Sequence, residues 1–219
     1  NELSLDIYRE VKANRYFLNI DNLKLKTLER YLGLYRNDIY TGKDCIGFYL
    51  DYLKIGDKTL LERILQHNYD DLYYMIDVLK ILDVIKEKKS SIIKYNGNEL
   101  NLLIDKLSIL GNHLIINGYV DNAINIKLIH YDNNFRIHFD KENNFEVRIE
   151  FSIGMVSPTE KGFYIDTKKN VLPNIAISRT KYNIPANILL LKVEKQYYIE
   201  NIKNLLKEII SYALIQNQL

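Results

Sequence analysis

Apolar residues in the first third of the chain recur at spacings of three and four, the signature of helices with one buried side. Leu25, Leu28 and Leu32 mark a first helix, with Asp21 and Asn22 available as caps and Gly33 to end it at positive φ. Thr41 with Asp44 three residues on reads as a capping box, opening a second helix through Phe48, Tyr49 and Tyr52 to a break at Gly56-Asp57. A long helix is expected from about Lys58 to Ile85, with an apolar stripe of Leu61, Ile64, Leu65, Leu72, Met75, Ile76, Leu79 and Leu82 that includes the amide of Asn68. Beyond Lys86–Ser91 the period changes from 3.6 to 2. Phe135, Ile137 and Phe139 alternate with charged residues, as do Phe145, Val147, Ile149 and Phe151, and Asn133-Asn134 and Asn143-Asn144 supply turns. Further strands are expected at about Leu102–Ile109, Leu114–Val120, Ile124–Tyr131, Gly162–Asp166 and Ile188–Val193. A closing helix over about Ile199–Ile215 carries Ile202, Leu205, Ile209 and Ala213 on one side, suited to cover a sheet. The expected fold is α+β: a helical region over 1–89, then an antiparallel β-rich domain with a terminal helix over 90–219.

Composition narrows the function classes only slightly. The 219 residues are 47% hydrophobic and 26% charged, ordinary for a globular chain, and 30 basic against 28 acidic residues leave a formal charge of +2. No global charge announces a nucleic-acid or membrane binder, so any such role must reside in a local site. One cysteine excludes an intramolecular disulfide and a Cys-rich zinc site, and a reducing, cytoplasmic setting is expected. The longest apolar run, Ile188–Leu191, is too short to span a bilayer, and no membrane partner is expected. The chain opens on Asn1 rather than Met and enters the strand-like Leu3–Tyr8, so a preceding segment is expected.

The strongest candidate chemistry is His67-Asn68-Tyr69-Asp70-Asp71-Leu72 within the long helix. At about 100° per residue, His67 and Asp71 share one side on the shoulder of the apolar stripe. A carboxylate there can hold a divalent metal, and an imidazole one turn earlier can hydrogen-bond an attacking water. The same spacing also fits an ordinary exposed His/Asp pair beside a solvated Asp70.

Taken with Asp6-Ile7-Tyr8, Leu25-Lys26-Thr27-Leu28-Glu29-Arg30-Tyr31-Leu32-Gly33, Tyr49-Leu50-Asp51-Tyr52-Leu53 and Gly56-Asp57, this motif resembles the closing part of YprB-type ribonuclease H-like domains, of the DEDD class of 3′ to 5′ exonucleases. The resemblance covers roughly the first 85 residues. It implies a metal-dependent phosphodiester hydrolase acting on nucleic acid, in which four carboxylates hold two Mg²⁺ or Mn²⁺ ions. Asp71 occupies the position of the last metal ligand and His67 that of the preceding catalytic group. The family's first two motifs, an Asp-x-Glu ending a strand and a further Asp, do not occur before these residues. Asp71 by itself leaves a metal mostly hydrated. The resemblance therefore implies a C-terminal part that is inactive alone and is completed by an upstream segment, and an unburied stripe of this length also invites a homo-oligomer. The other reading is a non-catalytic binding or interaction module, either a degenerate nuclease or a β domain that binds a partner protein.

Other signals are weaker. Phe139-Asp140-Lys141-Glu142 copies Asp-x-Glu after an apolar strand, but the adjoining Asn143-Asn144 and the strand that follows at once read as a hairpin turn. His113, His130 and His138 lack metal spacing, and Cys45 reads as a small buried residue. Lys24, Lys26 and Arg30 fit either a phosphate backbone or a solvated helix side. The strand residues Arg136, His138, Glu146, Arg148 and Glu150 mix signs without aromatics among them and read as solvent-facing.

Overall fold

The computed structural model describes residues 5–121, 126–169 and 175–217. The fold is α+β and divides into two compact units, Asn1–Ile85 and Lys86–Leu219.

The first unit is helical: α1 Ile7–Ala13, α2 Arg15–Leu18, α3 Leu25–Tyr31, α4 Gly42–Ile55, α5 Lys58–Val78 and the start of α6 Ile81–Lys89. The expected strand over Leu3–Tyr8 is not found in its described part, because Asp6 caps α1 by accepting from the Arg9 amide at 3.1 Å. Its first two residues lie outside the described residues. Thr41 and Asp44 form the reciprocal capping box of α4, and Gly56 ends that helix with φ of 67°. The long helix expected to Ile85 is broken at Leu79-Lys80, where i to i+3 hydrogen bonds replace the α ladder. The core of this unit is Val11, Leu18, Leu28, Val78, Ile81 and Ile85.

Along α5 the inward side is polar. Its buried residues are His67, Asp70 and Val78, while Leu65, Leu72 and Ile76 of the expected buried stripe are 57%, 69% and 76% exposed. Asn68 is exposed with them, so its amide needs no internal partner. The helix is oriented by ion pairing on its inner side, described below.

In the second unit, β1 Ser90–Tyr95, β2 Asn98–Leu110, β3 His113–Val120, β4 Ile129–Tyr131, β5 Phe135–Phe139 and β6 Asn144–Glu150 form one antiparallel sheet in the order β1-β2-β3-β6-β5-β4. The first part of the strand expected from Ile124 lies outside the described residues. After Phe151 the chain enters a second antiparallel sheet, ordered β10-β9-β8-β7, from β7 Ser152–Met155, β8 Lys161–Asp166, β9 Ile188–Val193 and β10 Gln196–Tyr197. Strand β1 was hidden behind a run of lysines. It pairs with β2 through Asn96-Gly97, whose φ values of 50° and 77° suit a two-residue hairpin turn. Helix α7, Ile199–Gln216, buries Ile202, Leu205, Ile209 and Ala213 completely. Asn201 ties it down, accepting from the Ser178 amide and donating to the Leu190 carbonyl, both at 2.8 Å. Among the described residues no helix is long and apolar enough to cross a membrane.

Candidate functional site

Helix α3 and helix α5 face each other across the loop that follows Gly33, and the polar residues on these three segments form one ionic network. Glu29 lies between Leu25 and Leu32 on the inner side of α3 and is 1% exposed. Such a carboxylate requires a cation. Arg36, from the loop, supplies it: Nε donates to Glu29 Oε2 at 2.7 Å and Nη2 to the other oxygen, a bidentate pair. The remaining nitrogen, Nη1, donates to Asp71 Oδ1 at 2.5 Å. Burial works against the Arg36 charge, but the hydrogen bonds of Glu29 and Asp71 more than compensate and hold the guanidinium charged.

Asp38, two residues further along the loop, is buried at the centre. Its Oδ2 accepts from Lys26 Nζ at 2.9 Å and lies 2.6 Å from His67 Nδ1, while Oδ1 accepts from the Tyr40 amide at 2.8 Å. Burial alone would raise the Asp38 pKa; the bonds from Lys26, His67 and Tyr40 outweigh it and hold the carboxyl below its ordinary value. An ionised carboxylate can only accept, so His67 Nδ1 carries a proton, which leaves Nε2 as the basic nitrogen whenever the ring is neutral. Nε2 points toward Asp71, 3.7 Å from Oδ2.

His67 and Asp71 are thus brought together, but in unequal environments. The imidazole is nine-tenths buried and held by Asp38, whereas the Asp71 side chain is 39% exposed. Asp70, read from the sequence as solvated, is 5% exposed, with Oδ1 accepting from Gln66 Nε2 at 2.8 Å. Lys26 is committed to Asp38 and to the Asp38 and Tyr40 carbonyls, so it is a structural cation and not part of a phosphate-facing row. An open cleft of about 370 Å³ adjoins the network, walled by Asp38, Tyr40, Glu62, Arg63 and Gln66. Sequence reasoning missed Glu29, Arg36 and Asp38. Glu29 was detectable as an acid inside the Leu25, Leu28, Leu32 stripe; the loop residues carried no periodic signal.

The described residues contain no group of three or more His, Cys, Asp or Glu side chains able to hold a metal ion. Glu29 and Asp38, the other carboxylates joined to Arg36 and His67, are taken up by Arg36, Lys26 and His67. These residues alone do not fit a divalent ion. Asp140, the other candidate, is a turn residue: Oδ1 accepts from the Glu142 and Asn144 amides at 2.8 and 2.9 Å.

Residues 1–83 match the family RNase_H_2, of the RNase_H superfamily. The match supports a ribonuclease H-like, nuclease-related domain over that stretch. No curated protein and no solved structure matches the chain.

Proposed function

We propose that the helical unit is the Asp71-bearing part of a metal-dependent 3′ to 5′ exonuclease of the YprB-type DEDD class, acting on nucleic acid in the cytoplasm. The observation that carries this reading is the Asp38–His67–Asp71 arrangement. Asp38 fixes the imidazole with its basic Nε2 directed at a half-exposed carboxylate. In that position His67 can accept a proton from a water beside Asp71, and Asp38 stabilises the imidazolium that results. Arg36 holds one oxygen of Asp71 and so orients the other.

Mg²⁺ or Mn²⁺ would be held once further carboxylates join Asp71, and their source in this reading is an upstream segment of the same protein. The exposed stripe of Leu65, Tyr69, Leu72 and Ile76 on α5 offers apolar surface for such a segment, or for a second copy of the chain, to cover. Alone, the 219-residue chain is then without turnover.

One observation favours a second reading, a non-catalytic module derived from a nuclease. Arg36 already neutralises Asp71, as a purely structural ion pair would.

The test joins the upstream coding segment to this chain and measures Mg²⁺-dependent shortening of a 3′-labelled single strand. Activity that Asp71→Asn abolishes, and that His67→Ala lowers by about 10²- to 10⁴-fold, supports the nuclease. No activity in the completed protein supports the second reading, and activity retained in Asp71→Asn refutes the assignment of Asp71 as metal ligand.

A further inference from the structure

The outward side of the large sheet collects residues that lie far apart in sequence. Strand pairing sets Arg136 of β5 directly opposite Arg148 of β6 and opposite Tyr131 of β4. Like charges directly opposite on a sheet destabilise it unless something neutralises them. Arg148 has a carboxylate, Glu146, at 2.7 Å from its Nε. Arg136 has no ion-pair partner among the described residues and instead lies over the Tyr131 ring, 5.8 Å from its centre. Glu150, the other acid on this side, is engaged by the Asn112 amide at 2.7 Å.

Tyr131 is 71% exposed and Ile129 59%, so an aromatic ring and an aliphatic side chain flank the arginines in the open. Together with His138, Glu146 and Arg148 they wall a groove of about 420 Å³. A smaller groove, lined by Leu110, His113 and Ile115, continues across the sheet and shares both arginines. The two grooves make a track running across the strands, with the unpaired Arg136 beside the Glu146-paired Arg148 in the middle and a ring at one end.

We propose that this side of β3, β6, β5 and β4 binds single-stranded nucleic acid, with phosphates over Arg136 and Arg148 and a base stacked on Tyr131. Arg136, without an ion-pair partner among the described residues, attracts a polyanion by charge, and Arg148 joins it by exchanging Glu146 for a phosphate. The tyrosine, 71% exposed with the Arg136 guanidinium near one side of its ring, presents the platform that bases use regardless of sequence. The choice of nucleic acid over another polyanion rests in part on the nuclease reading of the helical unit, but the surface itself does not.

The experiment is fluorescence anisotropy of a labelled oligothymidylate of about 12 nucleotides, with the full chain in EDTA so that no metal-dependent cleavage intervenes. Arg136→Gln with Arg148→Gln is expected to weaken binding at least tenfold. It should also flatten the salt dependence by about 1.4 in log–log slope, the contribution of two phosphate contacts to a single strand. Tyr131→Ala is expected to weaken binding about tenfold and Tyr131→Phe to leave it intact. Binding unchanged in the double arginine variant, or equal affinity for a polyglutamate peptide, overturns the proposal. If the double variant loses its circular dichroism signal, the exposed single changes Arg136→Gln and Tyr131→Ala decide the matter on the same criteria. Asp71→Asn separates the two readings: full oligonucleotide binding by this variant supports the sheet as the binding site whatever becomes of cleavage, whereas loss of binding overturns it.

Discussion

Replacing Arg36 by Met tests whether the ionic network holds the helical unit together. The guanidinium is 4% exposed, and the change leaves Glu29, 1% exposed, without its bidentate partner. Removing one partner of a buried pair costs about 3–5 kcal/mol, because the remaining charge stays desolvated. Against a domain stability of about 5–15 kcal/mol this is a large fraction. For a domain of this size each kcal/mol moves the midpoint by roughly 4–8 °C, so the helical unit should melt at least about 12 °C lower. Thermal and urea unfolding followed by far-ultraviolet circular dichroism reads the effect. Glu29→Met added to Arg36→Met should recover at least half of the loss, since an apolar pair of similar volume often replaces a buried ion pair at little cost. Asp71→Asn should cost no more than about 1 kcal/mol, its side chain being partly in water. A loss below about 1 kcal/mol for Arg36→Met would refute the reasoning, because that is what an exposed pair contributes. Equal losses for Arg36→Met and Asp71→Asn would make Asp71 a structural residue.

Asp38 predicts an acid limb: its folded pKa lies below the ordinary carboxyl value of 3.8, so its stabilisation is present above that pH and is lost as pH falls through the folded value. Stability measured by urea titration should therefore rise with pH just below 3.8, and Asp38→Asn should reduce that slope. Gly118→Ala should destabilise the β-rich unit by about 1–3 kcal/mol, since the added Cβ would collide with the Leu103 carbonyl oxygen and the Phe145 ring; a wild-type urea midpoint would contradict this packing. Asn201→Ala should cost about 1–3 kcal/mol by leaving the Ser178 amide and the Leu190 carbonyl unpaired, again read by urea unfolding. Leu72→Glu with Ile76→Glu, both at exposed positions, should leave the melting temperature within a few degrees while shifting sedimentation equilibrium toward monomer.

The β-rich unit was the more legible of the two, for a physical reason. Alternation in Phe135–Phe139 and Phe145–Phe151 reports one buried side directly, and every apolar residue of those runs is buried. In α7 likewise the apolar register is the buried register. Helix α5 broke the rule because its apolar side is not its buried side: charge pairing with Arg36 and Asp38 decides which way it faces, and a hydrophobic pattern carries no information about a cation on a separate loop. The same blindness affected the sheet. Read one strand at a time, Arg136 and Arg148 are solvated charges among mixed signs; only register sets them opposite each other and brings Tyr131, from a third strand, alongside. His67 and Asp71 were readable because one helix turn joins them, whereas Asp38, which determines which nitrogen of His67 is basic, lies 29 residues away and enters through tertiary structure alone. In the helical unit the residues that create the chemical asymmetry come from a loop without periodicity of its own. Asp38→Asn therefore perturbs His67 more specifically than any change on α5 itself: the neutral amide can present its oxygen or its nitrogen to Nδ1, the tautomer is no longer imposed, and Nε2 loses its defined role as acceptor. Nitrogen chemical shifts of the His67 ring, followed to the pH at which the ring is neutral, should show one dominant tautomer in the parent chain and a mixture in Asp38→Asn; a single unchanged tautomer in both would mean that Asp38 does not set the polarity of the site.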